Sequence, residues 1–238
     1  MVNFVRYSKL FRFYEFIQPF LKYSVPLEKE LPGKRVLVIA PHPDDEAIGC
    51  AGTVYKHIKS GGTADVVYCT LDTEVRFREA IKAADVLGFS HRHFLKYPVE
   101  SLAKQKAFSD ELYGIFKKSA PEIVFVPFWF DNHADHRALN SALRKVGKRK
   151  MFHCIVYAYP VWFPLYPNVL IEIGDVWEKK KEAISCYQSQ LATRDYIRMS
   201  HSLGEFWAET KRKGLGTVES FFRASFAEYI SLGKKFGI

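Results

Sequence analysis

The sequence has no apolar run of about 18 residues, the length that a helix needs to cross a bilayer. It also has no low-complexity tract and no repeat of about 20 to 50 residues, which excludes solenoids and propellers. Its four cysteines form no CxxC pair, and this argues against a zinc knuckle and a disulfide framework. Charged residues interrupt the N-terminal apolar stretch, so no signal peptide is predicted. We therefore expect a cytoplasmic protein with reduced cysteines.

Acidic residues are in the minority: 26 Asp and Glu stand against 35 Lys and Arg, and the net charge is +9. A charge of this sign attracts an anionic substrate, an anionic membrane surface or nucleic acid. The basic residues occur in small groups near predicted helix ends, where cations complement the helix dipole. Because no recognised nucleic-acid-binding module accompanies them, we predict no nucleic-acid partner.

Short β-rich runs alternate with helical patterns along the chain, an order typical of a parallel sheet with helices on its faces. The length of 238 residues suits one α/β domain, and we predict that residues 1–238 form it. The expected fold is a Rossmann-like, doubly wound, mainly parallel sheet with strand order 3-2-1-4-5 and helices on both faces. In chain order the expected strands are 35–40, 65–71, 92–95, 122–127 and 154–159, with 169–173 as a later addition.

Two aromatic segments flank this pattern, a basic N-terminal arm at residues 1–30 and a C-terminal tail at residues 215–238. The arm repeats apolar residues such as Leu10, Phe13 and Ile17 at helical spacing. A basic amphipathic helix can lie on a membrane, but such a stripe more often packs on its own domain or on a partner chain. We therefore favour packing over peripheral membrane contact, and a homo-oligomer stays open.

A histidine and three carboxylates lie within five positions directly after the first predicted strand, in the segment PHPDDEAIGCAG at residues 41–52. Burying an isolated carboxylate is costly and adjacent carboxylates repel, so a structural role would need partners that the local sequence does not supply. The segment therefore predicts an active site. Taken alone, it is also compatible with a turn in which an aspartate caps the following helix.

A second cluster, HADH at residues 133–136, follows the fourth predicted strand as the first cluster follows the first strand. Strands 1 and 4 are neighbours in the order 3-2-1-4-5, and ligands bind beyond their C-terminal ends in such sheets. Together the clusters offer His42, Asp45 and His136, a ligand set that leaves a position for water, as catalytic zinc sites do. Imidazole and carboxylate donors suit Zn²⁺ or Fe²⁺ better than Mg²⁺ or Ca²⁺. Asp44 is then free to face the water.

The segments PHPDDEAIGCAGTV and HADH resemble the two signatures of the LmbE-like, or PIG-L, family of zinc-dependent N-acetylglucosamine deacetylases. Two further stretches extend the resemblance. RFREA at 76–80 is similar to the arginine-bearing helix between the two signatures, and KEAISCYQSQ at 181–190 resembles a later helix of the family. The resemblance thus covers residues 33–190. One departure is the segment at 130–132, which is Phe-Asp-Asn where some family members have a tyrosine near the oxyanion.

The resemblance implies a role for each residue of the two clusters. His42, Asp45 and His136 would bind zinc, and Asp44 would be the general base. His133 would act as acid or oxyanion stabiliser, and Asp135 would orient His133. The resemblance also implies that Arg76 contacts the sugar, with Arg78 as a close competitor. Two interpretations of Glu46 stay open: it contacts another residue of the site, or it is an acid in the first helical turn that the helix dipole favours.

We therefore expect a metal-dependent hydrolase that removes the N-acetyl group from an N-acetylglucosamine-type amino sugar conjugate and releases acetate. Its expected partner is a small molecule or a glycoconjugate that carries this sugar. Two alternatives use the same residues. One is a carbohydrate-binding or scaffold protein that has lost turnover, and the other is a hydrolase of another small amide.

Overall fold

The computed structural model describes residues 12–13, 15–16, 25–163, 165–211 and 216–235, which form an eight-stranded sheet covered by helices on both faces. The strands are β1 (Leu27–Glu28), β2 (Arg35–Ala40), β3 (Thr63–Thr70), β4 (His91–Tyr97), β5 (Ile123–Pro127), β6 (Ile155–Tyr159), β7 (Val169–Glu172) and β8 (Val218–Ser225). The α-helices are α1 (Asp45–Lys59), α2 (Glu74–Leu87), α3 (Phe108–Ser119), α4 (Ala134–Arg149), α5 (Trp177–Ser185), α6 (Gln188–Leu191), α7 (Tyr196–Lys211) and α8 (Phe226–Lys235). Two short 3₁₀ turns span Leu102–Lys104 and Gly174–Val176.

The strand order across the sheet is β1-β7-β8-β6-β5-β2-β3-β4. The five strands expected from the sequence appear as β4-β3-β2-β5-β6 and are all parallel, which confirms the order 3-2-1-4-5 for this part. The predicted order was incomplete beyond β6. There β8 runs antiparallel between β6 and β7, and the short β1 pairs with β7.

The aromatic tail predicted for residues 215–238 therefore contains a strand within the sheet. The side chain of Phe221 in β8 is fully buried, and α8 packs beside α4 through Phe226 and Tyr229. An antiparallel strand that returns from the end of the chain does not follow the alternation of strand and helix, so that alternation cannot reveal it. Most of the arm predicted for residues 1–30 lies outside the described residues.

Two apolar cores lie on opposite faces of the sheet, and β2 contributes to both. Val36, Val38 and Ala40 belong to the core that includes α1, α2 and α5. Leu37 and Ile39 belong to the core that includes α3, α4 and α8. Successive side chains of a strand point to opposite faces, so a strand covered on both faces has an unbroken apolar sequence. Burial on both faces fixes the C-terminal end of β2, and so it also fixes where the residues that follow this strand begin.

Two glycines allow α1 to lie close to the sheet. A Cβ at Gly49 would lie 2.3 Å from the ring of Tyr159, and a Cβ at Gly52 would lie 2.8 Å from Ile173. A larger residue at either position would push α1 outward. Because α1 begins at Asp45, this close approach sets the position of the first polar cluster.

A buried ion pair joins α1 to α5 and β8. Lys180 Nζ lies 2.5 Å from Glu219 Oε1, and both side chains are 2% exposed. Lys180 also donates to the carbonyl of Ile48, whereas Glu219 accepts the backbone N–H groups of Gly52 and Thr53. The pair therefore lies along α1 and bonds backbone groups on successive turns of this helix.

We expect Lys180→Met to destabilise the protein by about 3–5 kcal/mol, because it leaves the buried Glu219 carboxylate without its cation. Lys179→Met is the matched control, since Lys179 pairs with the exposed Glu182 on the protein surface. We expect little or no loss of stability from this control, because surface ion pairs contribute little. Urea unfolding of the two variants measures the difference, and equal costs would contradict the structural role given to Lys180.

Candidate active site

The two polar clusters meet beyond the C-terminal ends of the neighbouring parallel strands β2 and β5. His42 follows β2, and Asp45 begins α1. After β5, the side chain of His133 caps α4 by accepting the N–H of Asp135, and His136 lies in the first turn of that helix. His42 and His136 are 94 residues apart in sequence, and their rings are 3.3 Å apart at the nearest nitrogens.

Three donor atoms converge at the centre of the site: His42 Nδ1, Asp45 Oδ2 and His136 Nε2. The carboxylate oxygen lies 3.2 Å from each of the two nitrogens, and the nitrogens lie 3.3 Å apart. Ligands bonded to zinc at about 2.0–2.1 Å in a tetrahedron are about 3.3 Å from one another. The nearly equilateral triangle therefore fits a single tetrahedral cation, and all three side chains are buried.

His133 stands beside this triangle and has a nitrogen within 4.8 Å of ligand nitrogens of His42 and His136. A three-histidine set is therefore a second geometric option for a cation. The shorter distances within the triangle favour Asp45 over His133 as the third ligand. His133 Nδ1 is also occupied, because it accepts the N–H of Asp135 at 3.2 Å.

The outward nitrogen of each triangle histidine faces a further carboxylate. His42 Nε2 lies 3.0 Å from Asp135 Oδ2, and His136 Nδ1 lies 3.2 Å from Asp131 Oδ1. Metal-binding histidines are commonly oriented by a carboxylate in this way, which fixes the tautomer and makes the inner nitrogen a better ligand. Both the geometry of the three donor atoms and the carboxylates behind the histidines are therefore consistent with a bound cation.

The Asp135 carboxylate contacts His42 and not His133, contrary to the role expected from the sequence. Its two oxygens also accept the N–H groups of Glu100 at 2.7 Å and of Leu102 at 3.0 Å. Only the backbone N–H of Asp135 reaches His133. The reason is helical geometry, because residues two apart at the start of a helix do not face each other.

Asp131 is a site residue that the sequence analysis did not identify. It is buried. In addition to its ion-pair contact with His136, it accepts the N–H of His133 at 2.9 Å and the N–H of Trp162 at 3.0 Å. An aspartate that accepts a backbone N–H two residues further on is a common turn, so the signal was present in the sequence.

Asp44 lies at the edge of the triangle in an unusual backbone conformation, with φ 118° and ψ −28°. Its carboxylate is buried, and Oδ2 lies 3.4 Å from a guanidinium nitrogen of Arg76. Burial, and next the negative charge of Asp45, raise the pKa of Asp44 well above its usual value. A carboxylate with a raised pKa accepts a proton more readily than one at the surface.

Carboxylates around the triangle control the protonation of its histidines. Burial lowers the pKa of His42, but hydrogen bonds to Asp135 and Asp45 outweigh it and raise this pKa to about 9. Burial likewise opposes protonation of His136, but the charge of Asp45 and contact with Asp131 raise its pKa to about 10. Histidine binds metals as neutral imidazole, so a cation would take the place of these protons.

A cleft of about 130 Å³ opens onto the triangle. Arg76 reaches it from the first turn of α2, where Thr73 caps the helix by accepting the N–H of Arg76. Arg78 points away, with its side chain 72% exposed and paired with Glu74. Arg76 is therefore the arginine that reaches the site. The residues that line the cleft are His42, Asp44, Asp45, Ile48, Arg76, Val99, His133, Trp162, Gln190 and Tyr196.

The PIG-L family, described as GlcNAc-PI de-N-acetylase, matches residues 37–146 of the chain, a range that contains both polar clusters. A diacetylchitobiose deacetylase of Thermococcus kodakarensis is 30% identical over 189 residues, which cover 66% of this chain and 70% of that protein. The chain belongs to the PIG-L family. Within this PIG-L domain, the strands that carry the two clusters are the adjacent β2 and β5.

Solved structures of other proteins share the fold of this chain. The conserved protein TT1542 of Thermus thermophilus has a TM-score of 0.70 and 25% identity, covering 80% of this chain and 94% of that protein. The 4-carboxy-2-hydroxymuconate hydratase GalB of Pseudomonas putida has a TM-score of 0.65 and 20% identity, covering 81% and 96%. The second similarity shows the fold alone, so the reaction must be argued from the site.

Proposed function

We propose that this PIG-L protein is a metal-dependent deacetylase that hydrolyses the N-acetyl group of an N-acetylglucosamine-type conjugate. The observation that carries the proposal is the triangle of His42, Asp45 and His136 beside a buried carboxylate, Asp44, in an open cleft. The relatives support the same reaction, since the Thermococcus kodakarensis protein is named as a diacetylchitobiose deacetylase.

The three triangle residues would hold Zn²⁺, or Fe²⁺, which shares their ligand preferences. When bound, such a cation lowers the pKa of a water molecule and polarises the amide carbonyl. Asp131 and Asp135 keep His136 and His42 oriented as ligands. The ligands are thus held in place before a cation arrives, which reduces the cost of binding it.

Asp44 is the general base of the proposed reaction. It removes a proton from the attacking water as the carbon–oxygen bond forms, and it then returns the proton to the amine as the carbon–nitrogen bond breaks. Its neighbour Arg76 limits the movement of the carboxylate. General bases of this kind contribute about 10²–10⁴-fold to the rate.

His133 acts mainly as a donor to the oxyanion. Because its Nδ1 accepts the N–H of Asp135, the proton of the neutral ring is on Nε2. Burial, and then the charges of His42 and His136, lower the pKa of His133, which favours this neutral form. A preorganised N–H donor of this kind stabilises the charge that develops on the carbonyl oxygen. Of the two roles expected for His133, the geometry supports oxyanion stabilisation better than acid catalysis.

Arg76 and Trp162 are the proposed contacts to the sugar. Arg76 is buried, and its Nε has no hydrogen-bond partner among the described residues. A buried donor without a partner is unfavourable by about 1–3 kcal/mol, and a sugar hydroxyl would satisfy it. Trp162 is among the residues that line the cleft, and the guanidinium of Arg194 lies over its indole ring at 4.9 Å. This contact holds the aromatic surface in place for a sugar ring.

A panel of acetylated compounds tests the proposed function. The panel contains N-acetylglucosamine, diacetylchitobiose, N-acetylglucosaminyl conjugates of inositol and malate, and an N-acetylated amino acid as control. We expect equal amounts of acetate and free amine from at least one sugar, loss of this activity after chelation, and its return with Zn²⁺ or Fe²⁺. Binding of a sugar without acetate release would indicate a binding protein, and preference for the amino acid would indicate a different amidase.

A further inference from the structure

The backbone of Asp44 is held in a conformation that few residues other than glycine adopt. Its φ of 118° lies in the left-handed half of conformational space, where the backbone of a residue with a Cβ atom is strained. The side chain of Asp44 forms no capping hydrogen bond to α1. A group outside the Asp44 side chain must therefore hold the conformation.

Glu46 supplies that group. Its Oε2 accepts the backbone N–H of Asp44 at 3.1 Å, and its Oε1 accepts the hydroxyl of Tyr187 at 2.5 Å and that of Tyr68 at 3.2 Å. Glu46 is fully buried. An acid that only complements the helix dipole lies in water at the helix surface, so this second interpretation of Glu46 does not agree with the structure.

The two tyrosines bring distant segments to Glu46. Tyr68 lies in β3, whereas Tyr187 lies between α5 and α6 and is 141 residues from Glu46 in sequence. Two residues further on, Ser189 donates both its backbone N–H and its hydroxyl to Glu79 of α2. The segment that carries Tyr187 is thus fixed to the same helix that carries Arg76.

We propose that Glu46 is a positioning residue for the reaction and that Tyr187 and Tyr68 hold it in place. Glu46 fixes the backbone of Asp44, and Arg76 restrains the carboxylate of the same residue, so the base is held from two sides. This inference rests on the proposed function of Asp44 as the general base. It adds a role for Tyr187, which is neither a triangle residue nor one of the residues that line the cleft.

Tyr187→Phe is the first test, because it removes one hydroxyl and keeps the ring. Removing one partner of a buried hydrogen bond is costly enough for a loss of about tenfold in kcat, and we expect KM and metal content to be unchanged. Tyr157→Phe is the matched control, since buried Tyr157 also donates to a glutamate, Glu28, at 2.6 Å. We expect wild-type kcat from this control, because Glu28 lies at the far edge of the sheet.

Glu46→Asp is the second test, because it keeps a carboxyl group and withdraws it by one methylene group. If Glu46 acts by position, kcat per bound metal falls at least tenfold, whereas an effect of its charge alone would leave kcat nearly unchanged. A crystal structure of this variant is expected to show φ of Asp44 shifted away from 118°. This readout does not depend on turnover.

Three results would overturn the inference. They are wild-type kcat in both Tyr187→Phe and Glu46→Asp, an equal loss of kcat in Tyr157→Phe, or an unchanged backbone at Asp44 in the Glu46→Asp crystal. Failure of the proposed function is distinguishable from all three. In that case the wild-type protein releases no acetate from any compound of the panel, and the crystal structure of Glu46→Asp still decides whether Glu46 positions Asp44.

Discussion

Replacing Asp44 by asparagine is expected to lower kcat by a factor of about 10²–10⁴ and to leave the metal content unchanged. Asparagine has the shape of aspartate, but its amide does not take up a proton from water. The metal should remain, because the Asp44 carboxylate is not among the three converging donors. The contact between the backbone N–H of residue 44 and Glu46 also survives the change.

The measurement compares kcat, KM and bound metal in Asp44→Asn and in the control Asp85→Asn. Asp85 has an exposed side chain that pairs with Arg92, so its replacement tests the effect of losing one acidic charge away from the site. We expect wild-type turnover from the control. Acetate release at the wild-type rate by Asp44→Asn would contradict the role of Asp44 as base.

Replacing His42 by alanine is expected to remove the metal and, with it, all metal-dependent turnover. One of three donors is lost, and the buried carboxylate of Asp135 loses the imidazole that it contacts. Loss of a residue that only touches a metal ligand typically weakens metal affinity by about 10–100-fold. Loss of the ligand itself should therefore weaken it by more than about 100-fold.

Metal analysis after gel filtration, together with circular dichroism, separates metal loss from unfolding in His42→Ala. His91→Ala is the matched control, because the His91 side chain is 73% exposed and pairs with Asp65 away from the triangle. It should keep both metal and activity. A folded His42→Ala protein with stoichiometric metal would contradict both the triangle and the three-histidine alternative with His133, because His42 belongs to each set.

The first polar cluster could be identified from sequence because its chemistry is local. A histidine and three carboxylates directly after an apolar strand have few structural explanations. Its pairing with residues 133–136 followed from the order of strands in a doubly wound sheet, and the adjacency of β2 and β5 confirms that order. The predicted strand order was therefore enough to show that the two clusters meet at the C-terminal ends of neighbouring strands.

The sequence did not predict which individual side chains contact one another within the site. The carboxylate of Asp135 contacts His42 and not His133, and Asp131 is the partner of His136. The arginines Arg76 and Arg78 differ by two positions, yet only the former reaches the cleft. Each of these outcomes depends on the direction in which a side chain leaves its helix or turn, and residue spacing alone leaves more than one direction open.

The sequence by itself determined the core of the sheet, the two clusters and the types of donor side chain that they contain, because these depend on local composition and on the period of apolar residues. Only the tertiary structure showed that the C-terminal segment forms the strand β8 within the sheet. It also showed the buried pair of Lys180 and Glu219 and the contact of Tyr187 with Glu46. Those contacts join residues far apart along the chain. Their formation depends on how helices and strands pack in three dimensions, and no local pattern of residues encodes that geometry.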